Sequence, residues 1–196
     1  MPRVISIALL LFIVLDPFGN LVTLNTLLRT AAPARRRRII IRESIIALAI
    51  LQLFVFAGGA ILHALGLQTY ALGISGGIVL FMIALGMVFP ARKVLDKEGL
   101  EDPLVVPIAM PLIAGPGAIS VVILLAQTNP VWNVAAAVGM AWLPTAVILA
   151  VSTWLFNFLG PRGAVALERL MGILLVMLSV QMVLDGIAGY LAERAA

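Results

Sequence analysis

Four residues in the first apolar stretch of the chain, Asp16, Pro17, Gly19 and Asn20 of LDPFGN, are types that site chemistry uses and a plain membrane anchor does not. A carboxylate at the centre of a membrane helix costs about 2.5 to 3.5 kcal/mol on insertion scales and is kept where it has a partner or a task. For Asp16 the functional reading is a coupling site for a cation, H⁺ or Na⁺. The structural reading is that Asp16 caps a helix restarting at Pro17, since Asp at the N-cap followed by Pro at the first helical position is a common start. Pro17 removes a backbone donor and Gly19 loosens the same turn, so the segment breaks or bends its helix. The freed N–H and C=O groups must then face protein, water or a ligand.

A second break of this kind, Gly115-Pro116-Gly117, lies in AGPGAIS and is followed by Ser120 and Gln127, much as Asn20, Thr23 and Asn25 or Thr26 follow the first. Interrupted helices at matching places in two halves of a chain point to the midplane site of a secondary transporter. Half-helix N-termini there favour carboxylates, and exposed carbonyls favour cations. The expected substrate-binding residues are Asp16, Asn20, Thr23, Gly115, Gly117 and Ser120, with Pro17, Gly19 and Pro116 shaping the breaks.

The elements that hold these residues are membrane spans. With 63% hydrophobic residues, 11% charged and a mean hydropathy of +1.16, the chain lacks the polar matter to coat a soluble globule. A span needs about 20 apolar residues, so 196 residues accommodate six crossings and no separate aqueous domain. They are expected at about 4–28, 39–63, 70–89, 104–127, 133–159 and 168–190. The connections at 29–38, 64–69, 90–103, 128–132 and 160–167 read as turns. Asp16-Pro17 interrupts the first run and no A-x-A site follows it, so that run reads as a span and not as a cleaved signal.

Of the 13 Lys and Arg residues, all but Arg3 and Arg194 fall on the side of connections 29–38, 90–103 and 160–167. The positive-inside rule makes that side cytoplasmic and puts both termini outside. The run Arg35–Arg38 reads as this sorting signal and as a contact for anionic lipid headgroups, not as a nucleic-acid patch.

Shifting the chain on itself by 99 residues lays Asp16-Pro17 on Gly115-Pro116. A shift of 95 lays Gly77, Ile78, Leu80, Met82, Met87 and Val88 on Gly172, Ile173, Leu175, Met177, Met182 and Val183. Two halves of three spans each have opposite orientations, so the fold expected is all-α, six transmembrane helices as two inverted-topology repeats, about 1–98 and 99–196, with spans one and four broken.

Other residues have plainer readings. Asp185, with Gln181 one turn earlier, either lines a path or is a solvated span end, and His63 reads as interfacial. Glu43 beside Arg42 pairs or snorkels. Gly73, Gly76, Gly77, Gly86 and Gly172 read as close helix packing, with Ser75 in reach of the cavity. No Cys and a single His exclude a disulfide framework, a thiolate nucleophile and a Cys/His zinc site. There is no phosphate-binding G-x-x-x-x-G-K-[ST] motif, and GPGAIS lacks the strand and acid of a dinucleotide site, so no cofactor is expected. An intramembrane enzyme would want a nucleophile and base or a metal cluster that these spans do not offer.

LDPFGN in the first span and PLIAGPGAIS (111–120) in the fourth, within six hydrophobic spans, resemble the MarC family of inner-membrane proteins, which includes small neutral amino acid transporters. The family motif commonly runs D-P-x-G-N-x-P, and this chain carries Val22 at its last position. The resemblance implies a six-helix secondary carrier, glycine or alanine as substrate class, and a cation gradient as driving force. The expected partners are a small zwitterion, H⁺ or Na⁺, and membrane lipids, with a homo-oligomer left open. An exporter of drugs or metabolites and a non-transporting scaffold subunit are the alternatives.

Overall fold

The structure, a computed structural model, describes residues 2–28, 32–89 and 113–195. The described residues form helices α1 (Pro2–Leu15), α2 (Asn20–Leu27), α3 (Pro33–Ala64), α4 (Thr69–Val88), α5 (Pro116–Thr128), α6 (Val131–Ala150) and α7 (Ser152–Ala195). Four of them, α3, α4, α6 and α7, are long and apolar enough to cross a membrane. α1 and α2, bent by 44° across the LDPFGN break, make a fifth candidate span, and α5 is a shorter apolar helix. The first part of the expected fourth span, 104–112, and the connection 90–103 lie outside the described residues.

Helix α3 shows why these segments pack as they do. Its buried residues Arg36, Ile40, Ser44, Ala47, Leu51, Val55, Gly58 and Leu62 recur every three or four positions, one stripe of a 3.6-residue helix. That stripe meets α5 and α6, while Leu53 and Phe56 on the opposite side are exposed. Such exposed apolar surface is what a lipid environment solvates. Two polar bonds join α3 to α6: Trp142 Nε1 donates to the Ser44 carbonyl at 2.7 Å, and Gln52 Nε2 to that of Ala135 at 2.9 Å. In lipid, where apolar contact gives helices little drive to associate, such bonds and close packing hold the bundle.

The most extensive helix pair is α4 with α7, which run antiparallel. Glycines bring their backbones together: a methyl added at Gly77 would stand 2.9 Å from the Ser179 carbonyl oxygen, one at Gly172 3.1 Å from that of Ala84, and one at Gly186 3.0 Å from that of Tyr70. Gly86 is different. It is exposed with nothing within 4 Å, so the expectation that it packs a helix is corrected.

Two expected connections are helical. Pro33, whose fixed φ suits a first helical position, starts α3 early, so Arg35–Arg38 lie on a helix. Only Gly160 interrupts 160–167, at φ 68° and ψ 168°, and Pro161 then opens the long second part of α7. The turn at 64–69 is as expected, with Gly66 at φ 65°.

Candidate functional site

The break between α1 and α2 is held by an exchange of side chains. Asp16 ends α1 with φ 44°, a left-handed conformation that Asp tolerates better than most residues because its short side chain bonds locally. Its carboxylate Oδ1 accepts the Gly19 amide at 3.0 Å and its carbonyl accepts the Asn20 amide at 3.2 Å, which closes a turn over 17–19 that leads into α2 at Asn20. A side-chain bond to the amide three residues on is the one an N-cap makes, although φ 44° is not the extended backbone of that position and α2 itself begins at Asn20. In return Asn20 Nδ2 donates to the Leu15 carbonyl at 3.2 Å, satisfying an acceptor that the end of α1 leaves open. Gly19 has ordinary helical angles, and its requirement is steric: an added methyl would run into Asp16 Oδ2 and the Met87 side chain.

On the facing side, α5 begins at Pro116 with Gly115 extended, and among the described residues no side chain at the N-cap bonds its first amides. The residue Gly117 lets α5 press on α4, since a methyl there would be 2.9 Å from Leu80 Cδ1. Between the two breaks is a cavity of about 170 Å³. Its described walls are Val14, Leu15, Asp16, Gly19, Asn20 and Thr23 from the first break, Ile113, Gly115, Gly117 and Ala118 from the second, Leu80, Ile83 and Met87 from α4, and Glu168 and Leu175 from α7. Asp16 is only 5% exposed.

The structure therefore brings Asp16, Gly19, Asn20, Thr23, Gly115 and Gly117 together. Ser120 is not with them. One turn beyond Gly117, it is buried against Gly76 of α4, which corrects its expected place in the lining. Pro17 is buried in the turn itself, and Pro116 is exposed at the start of α5. Ser75 is exposed and donates to the Leu72 carbonyl, away from the cavity. Asn25 accepts a bond from Arg36 Nη2 at 2.5 Å, and Thr26 back-bonds to the Val22 carbonyl. The pairing expected of Glu43 is present, 3.7 Å from Arg42 Nε.

Glu168 is the wall residue that sequence reasoning missed. It lies two turns before Leu175 on one helix face, beside Arg169 at the start of the expected sixth span, and no spacing in the sequence ties it to the first break. Asp16 and Glu168 are close enough to interact electrostatically, and no Lys, Arg or His is among the described wall residues. Among the described residues no three His, Asp or Glu side chains cluster as metal ligands.

Helices of this length and apolarity, with a broken span around a buried carboxylate, define a multi-pass helical membrane protein. The chain belongs to the MarC family: the profile described as MarC family integral membrane protein matches residues 1–191. A UPF0056 membrane protein of Buchnera aphidicola (subspecies Baizongia pistaciae) is 42% identical over 196 residues, covering 97% of this chain and 98% of that relative. The UPF0056 inner membrane protein YhgN of Escherichia coli K12 is 44% identical over 192 residues, 95% of this chain and 97% of its own. An archaeal UPF0056 membrane protein, from Methanocaldococcus jannaschii, is 34% identical over 191 residues, 91% of this chain and 84% of its own. No solved structure matches the chain. These relatives support an inner-membrane location.

Proposed function

We propose that this protein is a secondary active transporter of a small neutral amino acid of the glycine or alanine class, coupled to H⁺ or Na⁺. The observation that carries the reading is the buried Asp16 at a helix break, facing the start of α5 across one small cavity. A zwitterion matches both walls. Its carboxylate takes the first amides of α5, where the helix dipole favours an anion, and its ammonium takes Asp16 or Asn20. Asp16, Asn20, Thr23, Gly115 and Gly117 are the binding residues of this proposal, and Asp16 also binds the coupling ion. Serving as a cap does not exclude that role, because only one carboxylate oxygen is given to Gly19 in the capping bond.

The inverted repeat is part of the same proposal. Helix α4 meets α5 as α2 meets α7, and the α4–α7 and α3–α6 pairs each join elements that such a repeat would make equivalent. Burial supports the 95-residue shift: Leu80 and Leu175 are 3% and 2% exposed, whereas Met82 and Met177 are 68% and 57% exposed. Both termini outside, with 29–38, 90–103 and 160–167 cytoplasmic, remains the orientation proposed from the basic residues. The cavity size argues against drug export, since sites for drug-sized ligands hold about 300–1,000 Å³.

Protein reconstituted in vesicles should take up labelled alanine or glycine under an imposed H⁺ or Na⁺ gradient, and Asp16→Asn should abolish or uncouple that uptake. A folded preparation that takes up no amino acid refutes the substrate class. Undiminished, gradient-coupled uptake by Asp16→Asn would refute Asp16 as the coupling site.

A further inference from the structure

A second cavity, about 450 Å³, opens where α4 begins and α5 and α7 end, toward the side of the membrane that carries the termini. Its walls include Tyr70 and Gly73 of α4, Leu124 and Thr128 of α5, and Met182 and Asp185 of α7. It is in register with the cavity at the helix breaks. From Gly73 to Leu80, from Leu124 to Gly117 and from Met182 to Leu175, each helix passes from one cavity to the other in seven residues. Seven residues rise about 10 Å. One notch therefore runs down the same face of three helices and is interrupted midway.

The interruption is thin. Ser120 fills the space above Gly76, with its Oγ 2.6 Å from where a Gly76 methyl would stand and Met182 Cε 3.5 Å from it. Charge runs in one direction along the notch: Asp185 is the sole ionisable side chain among the described walls of the second cavity apart from the Tyr70 phenol, and Asp16 and Glu168 follow in the first. Asp185 is exposed and accepts one bond, from Gln181 Nε2 at 2.7 Å.

We infer that this second cavity is a vestibule that collects a small ammonium-bearing solute at Asp185 and passes it to the Asp16 cavity when the Ser120–Gly76–Met182 contact opens. The inference rests on the transport reading above. It explains Ser120, which is buried between the two cavities and belongs to the barrier instead of the binding site.

The chain has no cysteine, so a single Thr128→Cys variant in reconstituted vesicles reports on the vestibule through thiol labelling. Small membrane-impermeant methanethiosulfonates of opposite charge should label it at different rates, the cationic one faster by about fivefold at low salt, with the ratio falling toward one in Thr128→Cys/Asp185→Asn. Gly76→Val should slow alanine uptake at least about tenfold, and Gly76→Ala less, while Thr128→Cys/Gly76→Val keeps the labelling of the Thr128→Cys parent and so shows that the fold is intact. Equal labelling by the two reagents with Asp185 present overturns the vestibule, and wild-type uptake by Gly76→Val overturns the barrier. Charge-selective labelling of Thr128→Cys, with no amino acid uptake by the wild-type protein, refutes the transport reading and supports the vestibule.

Discussion

Gly19→Ala isolates the contact that holds the Asp16 carboxylate in place. The new methyl cannot be accommodated without moving Asp16 Oδ2 or the Met87 terminus, and Asp16 Cγ itself would be only 2.7 Å away. Met87 is flexible and yields, but the carboxylate is the group bonded to the Gly19 amide at 3.0 Å. Rotating it away forfeits a hydrogen bond to a charged group, about 1.5–3 kcal/mol. Replacing Gly by Ala at a helical position returns up to about 1 kcal/mol. The net loss is then about 0.5–2 kcal/mol, which corresponds to roughly a 2- to 30-fold rise in half-saturating substrate if the carboxylate orients the ligand. Gly86→Ala is the matched control, because it makes the same chemical change on a helix with nothing within 4 Å. Concentration-dependent uptake and thermal unfolding in detergent, measured on both variants, should separate them: Gly86→Ala at or slightly above wild-type stability, Gly19→Ala weakened in both. Wild-type half-saturation and stability in Gly19→Ala, or an equal loss in Gly86→Ala, would refute the steric argument.

Gly77→Ala should lower the thermal midpoint in detergent, since the methyl would meet the Ser179 carbonyl oxygen at 2.9 Å and overpacking of a tight contact costs about 1–3 kcal/mol. At Gly160, φ 68° and ψ 168° lie in a region almost reserved for glycine, so Gly160→Ala should destabilise by about 1–3 kcal/mol although no atom is near it; an unchanged midpoint would refute the strain. Arg36 Nη2 bonds Asn25 at 2.5 Å and lies 3.5 Å from Ser152 Oγ. Truncating Asn25 to Ala should therefore cost about 1.5–3 kcal/mol, read as a lower unfolding temperature, and Asn25→Asp, which keeps an acceptor for Arg36, should recover most of it.

The helices were legible because apolar runs of span length leave few alternatives, and the break at 15–20 because Pro17 and Gly19 act through local backbone chemistry. Boundaries set by the charge of a segment were less legible. Arg35–Arg38 read as a connection, but Pro33 starts a helix regardless of the polarity of the residues that follow. For Ser120 the missing information was rotational: one turn of α5 separates a cavity wall from a packing contact, and only the position of Gly76 decides which applies. Glu168 was hidden because its place in the cavity depends on α7 meeting α2, a contact between residues far apart in the chain. Gly86 had the same composition signal as Gly77 and lacked the facing backbone.

The glycine seam between α4 and α7 has a mechanical consequence. Backbones in contact at Gly77, Gly172 and Gly186 leave no side-chain layer to deform, so one helix cannot slide past the other without driving a methylene or carbonyl into a space sized for hydrogen. The pair is thus a keel, and in the transport cycle proposed above the movement belongs to the broken segments that lean on it.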